Sequence, residues 1–419
     1  MMNKKLLSLL CLTALSLSAC NDDDDDDHDQ FSSPETLTVP TLISFAKLPV
    51  STYAEGPDSG AAVSGANGIY PPFKGQPVQG FSAAVKNNDG SYMAMSDNGF
   101  GTQNNSADYL LRIYKIKPDF KTKTKGTGQV SVQDFIQLRD PNKLVPFEIV
   151  NNNTPDRLLT GADFDPESMQ RVADGTYWIG DEFGPYLLHF SAEGVLLDAP
   201  VPLPHPLIKG QELRSPQNQL NKAGINYIEP LIQQSGGFEG MALSKDGQYL
   251  YPLLEKPLKG DASGQLIISQ FDLKTKSYTG KYYLFTLDSK ASAIGDFQLF
   301  NNQEGIIIER DASQNNLGGY KKLIRIKLGE SGKVIEREEL LDLIKIANPN
   351  QLYTSVRDGD IGTGTQFAFP FETIEDVVIE DGRTLTVLND NNFPGSSGRN
   401  AKLADDNEII QIQLPKALY

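Results

Sequence analysis

The sequence predicts an all-β fold, a β-propeller of about five to seven blades around a central acidic channel. Three observations predict it. Short strands with period-2 alternation recur at roughly the 40–50-residue spacing of propeller blades. Turn dipeptides of the Asp-Gly type join these strands in pairs, as hairpins require. Acid or amide residues return at the same strand ends in one copy after another. Long amphipathic helices are absent from the pattern, and Glu336–Ile346 is the best short helical candidate.

The N-terminal residues come first. Lys4 and Lys5, an apolar run from Leu6 to Leu17, and the approach Leu17-Ser18-Ala19-Cys20 read as a secretory signal ending in a lipobox. Residues 1–19 are then a signal peptide and Cys20 the lipidated first residue of the mature chain. A plain signal cleaved after Ala19 is the alternative; a spanning anchor needs about 20 apolar residues, more than are present. Cys11 falls in the removed segment, so no disulfide is expected, and a body of this size can be stable without one. Residues 20–35, with the run Asp22–Asp27, read as a solvated acidic tether, because like charges repel and nothing there can be buried. The propeller domain is placed at residues 36–419.

The seven Asp and two Lys of residues 1–30 account for five of the sixteen net negative charges, leaving −11 on the body. An acidic body without a basic stripe argues against a nucleic-acid partner. The expected partners are a small ester or phosphoester and, through lipid, a membrane at the periplasmic or surface side of a bacterial cell envelope. The protein is expected to be a monomer.

Five copies of the repeat follow in order. The first is Phe81–Val85, the turn Asp89-Gly90, Tyr92–Met95, Asp97-Asn98 and Leu110–Tyr114. The second is Asp165–Met169, Asp174-Gly175, Tyr177–Ile179, Asp181-Glu182 and Tyr186–Leu188. The third is Phe238–Met241, Asp246-Gly247, Tyr249–Tyr251, Glu255 and Leu266–Ile268. The fourth is Asp296–Leu299, Asn302-Gln303, Gly305–Ile308, Glu309-Arg310-Asp311 and Leu323–Ile326. The fifth is Glu375–Val378, Asp381-Gly382, Leu385–Leu388, Asn389-Asp390-Asn391 and Ile409–Ile412. Loop-like insertions lie around Asn151–Asn153 and Pro200–Pro206, and Thr41–Val50 is expected to add a strand to the last copy and close the ring.

In a blade, the start of the first strand and the end of the second lie at one face, and the acids occupy those two places. Glu167 to Asp181, Glu239 to Glu255, Asp296 to Glu309 and Glu375 to Asn389 are separated by 14, 16, 13 and 14 residues. Two charges about 4 Å apart repel by about 4 kcal/mol at an effective dielectric near 20, so such a cluster needs an offset. Carboxylate and amide oxygens suit one or more Ca²⁺ ions, whereas zinc favours His or Cys. His28, His189 and His205 stand outside the repeat's ligand positions. The candidate metal ligands are Asp97, Glu167, Asp181, Glu182, Glu239, Glu255, Glu309 and Asp390. Glu239 and Arg310 are the candidate catalytic residues, and Arg310, Asn98 and Asn391 the candidate substrate contacts. Arg310 has two readings, a fork onto phosphate or carboxylate and a structural partner for a neighbouring acid. Asp89, Asp174, Asp246 and Asp381 read as turn caps, and Tyr177, Trp178, Tyr249 and Tyr251 as packing within strands.

The segments Asp165–Met169, Tyr177–Pro185, Gly237–Leu243, Ile308–Asp311 and Phe371–Asp376 resemble the phytase-like propeller domain described as having esterase-like activity. The resemblance runs from roughly Phe81 to the C-terminus and implies a propeller that hydrolyses phosphate or other esters. By analogy with calcium-dependent phytases and phosphatases on propellers, it implies Glu167, Asp181, Glu182, Glu239 and Glu309 as metal ligands and Arg310 as a phosphate clamp. The first copy departs from the pattern with Ser82-Ala83 where the others carry an acid. The leading expectation is therefore a calcium-dependent phosphoesterase. A lactonase-like calcium propeller and a non-catalytic, lipid-anchored binding propeller are the alternatives. A serine esterase has no Gly-x-Ser-x-Gly elbow to support it.

Overall fold

A computed structural model describes residues 37–419. The signal peptide, the lipidation of Cys20 and the acidic tether lie outside the described residues.

Three antiparallel four-stranded sheets stand apart, and two more are joined edge to edge into a ten-stranded sheet by one parallel bridge, Lys47 to Gln129, with the short strands Ile346–Ala347 and Gln366–Phe367 beside it; Tyr53–Ala54 and Gln76–Pro77 form a small two-stranded sheet. Of the five four-stranded sheets in chain order, the first runs Phe81–Lys86, Tyr92–Ser96, Arg112–Asp119 and Gln129–Gln137. The second runs Pro166–Arg171, Tyr177–Asp181, Tyr186–Phe190 and Val201–Pro202. The third runs Phe238–Leu243, Tyr249–Leu254, Gln265–Asp272 and Ser277–Thr286. The fourth runs Ala293–Leu299, Glu304–Arg310, Lys321–Lys327 and Glu336–Asp342. The fifth runs Ile374–Ile379, Thr384–Asn389, Asn407–Gln413 and, from the other end of the sequence, Thr41–Leu48. The fold is all-β and propeller-like, and the single α-helix among the described residues is the short Gln219–Lys222.

The first strand of each sheet lies against the first strand of the next, and that of the fifth against that of the first. The strands can stack this way because they are apolar on both faces. In Tyr249–Leu254, Leu250 and Leu254 pack toward Trp178 and Phe238 of one cluster, while Tyr251 and Leu253 pack toward Phe297 and Ile307 of another. Each of the five apolar clusters is shared by two neighbouring sheets. Fully burying each such Leu or Phe is worth about 1.5–3 kcal/mol. Tyr177, Trp178 and Tyr251 are buried in these layers.

Glu336–Asp342 is a strand, where a short helix was expected. Good helix formers are overridden there by cross-strand charge pairing: Lys322 bonds Glu339 and Asp342 at 3.0 and 2.9 Å, and Arg325 approaches Glu338 at 3.8 Å. The turn acids cap their own loops. Asp89 accepts from the Ser91 N–H, Asp174 from Thr176, Asp246 from Gln248 and Asp381 from Arg383.

Candidate functional site

Every sheet begins with the same irregularity. The pairing of the first and second strands skips one residue between Phe81 and Ala83, Pro166 and Ser168, Phe238 and Gly240, and Ile374 and Asp376, and two, Gly295 and Asp296, between Ile294 and Phe297. A bulge of this kind re-aims the extra side chain. The residues at that position are Ser82, Glu167, Glu239, Gly295 and Glu375. On the second strand, the residue that follows the partner of the last residue before the bulge is Asp97, Glu182, Glu255, Arg310 and Asp390 in the same order, and of these only Arg310 is itself paired, with Ala293.

These two positions per sheet build the cluster, with Asp165 added from the second sheet. Oxygens of Asp165, Glu167 and Glu182 lie within 4.8 Å of one another, as do oxygens of Glu182, Glu239 and Glu255, so Glu182 belongs to both triads. Arg310 Nη2 donates to Glu239 Oε1 and Glu375 Oε1 at 3.2 Å each and lies 3.5 Å from Glu255 Oε1. Lys256 pairs with Glu255 Oε2 at 3.1 Å, and Ser82 Oγ donates to Glu375 Oε2 at 3.0 Å. Asp97 and Glu167 are half-buried, whereas the other acids of the cluster are buried.

The fourth sheet is the exception that admits the arginine. Gly295 stands where the second, third and fifth sheets carry an acid, and a Cβ there would meet the Ile374 carbonyl oxygen at 2.0 Å. Its acid, Asp296, falls one residue later and accepts from the Val377 N–H at 3.1 Å.

Burial and mutual repulsion dominate the electrostatics. Burial pushes Glu375 up to about 8 and Asp390 up to about 6, with Asp390 adding to the rise at Glu375. Burial first, then neighbouring acids, holds Asp97, Glu167, Glu182 and Glu239 well above the usual carboxylate range. Burial opposes the charge on Arg310, but Glu375, Glu239 and Glu255 outweigh it and raise the guanidinium above its ordinary value. Eight carboxylates thus face two cations, Arg310 and Lys256. Hard cations fit this donor set: all ligating atoms are oxygens, and oxygens within 4.8 Å of one another suit Ca²⁺–O distances of about 2.3–2.6 Å.

The structure brings Asp97, Glu167, Glu182, Glu239, Glu255, Asp390 and Arg310 together. It does not bring Asp181 or Glu309 there, because each lies one residue before the cluster position and a strand turns alternate side chains to opposite sides. Asp181 accepts from the Asp165 and Gly184 N–H groups at 2.8 and 2.7 Å. Glu309 is held by Arg337 at 2.6 Å and Tyr320 at 2.7 Å. Asn98 supports the cluster from behind, donating to Asp165 Oδ2 at 2.7 Å, and Asn391 spends its side chain on Gly80 N and Asp405 O. Sequence reasoning left Asp165 and Glu375 off the ligand set, although Glu375 stands level with Glu167 and Glu239 in the repeat.

His189 is held between Asp198 at 2.6 Å and Thr176 at 2.9 Å and stacks on Trp178 with ring centroids 4.3 Å apart. Thr176 gives its one hydroxyl hydrogen to Asp174, 2.7 Å away, and can only accept from His189. A hydroxyl so committed is not an activated nucleophile.

A family profile described as "Phytase-like: Esterase-like activity of phytase" matches residues 76–393. An uncharacterized secreted protein of Arthroderma benhamiae is 30% identical over 133 residues, which is 28% of this chain and 26% of that protein. The match therefore spans about a quarter of that relative's length. Among solved structures, a GH43 endo-arabinanase from Bacillus licheniformis is 12% identical, with 81% of this chain and 94% of that chain covered at a TM-score of 0.34. A PQQ-bound aldose sugar dehydrogenase from Streptomyces coelicolor is 9% identical, with 81% and 95% covered, also at 0.34. Likeness at that level carries no argument about activity.

Proposed function

The chain belongs to the phytase-like family described by esterase-like activity of phytase, and from that premise we propose that it is a calcium-dependent phosphoesterase working at the acid cluster. The five sheets are read as five blades. The observation that carries the reading is the pair of oxygen triads sharing Glu182, with a guanidinium against the second of them. Asp165, Glu167, Glu182, Glu239 and Glu255 would hold the ions. Calcium bound there supplies positive charge that orients the phosphoryl oxygens and offsets charge developing on them.

The chain's own groups divide the remaining work. Arg310 Nε is buried and has no hydrogen-bond partner, so it is free to donate to a phosphoryl oxygen. Glu239, Glu255 and Glu375 fix the direction of that guanidinium. Asp97 stands outside both triads at the open side; its Oδ1 accepts from Gly99 N at 2.8 Å, which leaves Oδ2 to carry a proton to the departing alcohol. Cys20, read as the lipid attachment, would hold this activity at the cell envelope.

Hydrolysis of 4-nitrophenyl phosphate by the domain, after chelation and with Ca²⁺ restored, tests the reading. Calcium-restored turnover that is lost in Glu182→Gln is the expected result. A folded protein that turns over no phosphomonoester with any added metal would overturn it.

A further inference from the structure

Beside Asp97 a cleft of about 320 Å³ opens between two loop walls. Val63 stands on one side, Phe393 and Pro394 on the other, and Phe100, Asn105 and Asn392 are among the residues between them. Asp97 is part of that lining and of the acid cluster at once, so the cleft abuts the reaction site through this one side chain. The volume is at the lower end of the roughly 300–1,000 Å³ that small-molecule sites occupy.

Two features say what fits it. First, the apolar wall is packed from behind: Phe73 backs the lining rings, with centroids 4.9 Å from Phe393 and 5.8 Å from Phe100. Asn67 ties the two walls by donating to the Pro394 and Gly395 carbonyls at 3.1 and 2.8 Å, so the cleft stands preformed. Secondly, no lysine or arginine lines it among the described residues, and the cluster's own guanidinium is held by three carboxylates. A second or third phosphate of a polyanionic ester would sit against carboxylates with no cation of the cleft to meet it, and Lys256, the cluster's other cation, is already paired with Glu255.

We propose that this cleft binds the uncharged alcohol half of the ester, a ring-sized apolar group with polar edges, and that the site discriminates against polyanionic esters. The proposal rests on the hydrolase reading for its chemistry, but the cleft can be tested without turnover. Half-buried Val63 and the margins of the buried Phe100, Phe393 and Pro394 that reach the cleft supply the affinity, and the side-chain amides of Asn105 and Asn392 can meet hydroxyl or ether oxygens at the rim.

The test has two arms. In the binding arm, saturation-transfer NMR follows benzyl alcohol with the calcium-loaded protein and with Ala62→Trp, which places a bulky ring on an exposed part of the lining. Transfer in the parent that falls at least fivefold in the variant supports the cleft; equal transfer in both, or none in the parent, overturns it. Circular dichroism of the variant checks that the fold is kept. In the turnover arm, kcat/KM is compared for phenyl phosphate, methyl phosphate and inositol hexakisphosphate. The expected order places phenyl phosphate at least tenfold above methyl phosphate and a hundredfold above the hexakisphosphate, with the phenyl-to-methyl ratio shrinking in Ala62→Trp. Turnover of all three at similar rates overturns the substrate class while leaving the hydrolase reading standing. Benzyl alcohol binding without turnover of any ester leaves the cleft standing and removes the phosphoesterase.

Discussion

Arg310 Nη2 lies 3.2 Å from Glu239 Oε1, and neither side chain exposes a tenth of its surface. The pair crosses from the fourth sheet to the third and supplies one of two positive charges among eight carboxylates. Arg310→Met should act in two directions. Removing one partner of a buried ionic cluster costs about 3–5 kcal/mol, so the metal-free protein loses stability on that scale. Calcium binding, relieved of a nearby positive charge, should tighten. Phosphomonoester turnover should fall by about 100-fold or more, the scale for losing one preorganised charge-stabilising donor. Calorimetric titration and steady-state kinetics on one preparation separate the two effects.

Glu182 offers oxygens to both triads, whereas Glu375 belongs to neither. Changing outer-sphere partners of metals already costs about 10- to 100-fold in affinity, so Glu182→Gln is expected to weaken calcium binding by at least about 100-fold. Glu375→Gln should cost less. Equal losses in the two variants, read by titration with the metal, would contradict the assignment of Glu182 as the shared ligand.

The buried acids also set a pH dependence. Burial lifts Glu375 from an ordinary value of 4.5 to about 8 and Asp390 from 3.8 to about 6, so the native state keeps protons that the unfolded chain has released. Stability of the chelated protein should therefore fall as pH rises, through about pH 4 to 6 for Asp390 and about pH 4.5 to 8 for Glu375. The slope is about 1.4 kcal/mol per pH unit for each such carboxyl. Melting temperatures at pH 5 and pH 8 check the sign. Added Ca²⁺ should raise the pH 8 value more than the pH 5 value, since the metal binds the ionised form.

Away from the cluster, Arg399 is fully buried against Glu408, with bonds of 3.0 and 2.8 Å, among the rings of Tyr353, Phe367 and Phe371. Glu408→Ala leaves that guanidinium without its carboxylate and should cost about 3–5 kcal/mol, measured by urea denaturation. Replacing both with apolar residues of similar volume should cost much less.

The repeat was legible because turn chemistry and strand alternation are local: Asp174-Gly175 and Asp246-Gly247 mark hairpins wherever they stand. Closure by Thr41–Leu48 was legible from the same alternation. Register was not. Counting from Glu167 to Asp181 or from Asp296 to Glu309 follows acids, while the common offset runs from the first bulge residue to the far end of the second strand: 82 to 97, 167 to 182, 295 to 310 and 375 to 390, with one residue more between 239 and 255. A one-residue error turns a side chain to the other side, which is how Asp181 and Glu309 entered the ligand set; Glu375 stood at the right position and was simply not carried into it. The Glu336–Asp342 strand was hidden for another reason: its partners, Lys322 and Arg325, belong to a neighbouring strand that propensity does not see.

The antiparallel pairing of Thr41–Leu48 with Asn407–Gln413 sets a timetable for folding. Ser44 bonds Gln411 at 2.7 Å across 367 residues of chain, so a polypeptide made from its N-terminus holds the first half of this seam long before the second half is synthesised. Until then Leu42 and Phe45 are apolar side chains on a strand bonded only to residues 121–129 on one edge, with the other edge open, the kind of segment that pairs wrongly with other chains. The domain cannot finish sheet by sheet. Its last step is a long-range closure, slow for its contact order, and a chain cut short before residue 407 would leave the opening strand permanently without its mate.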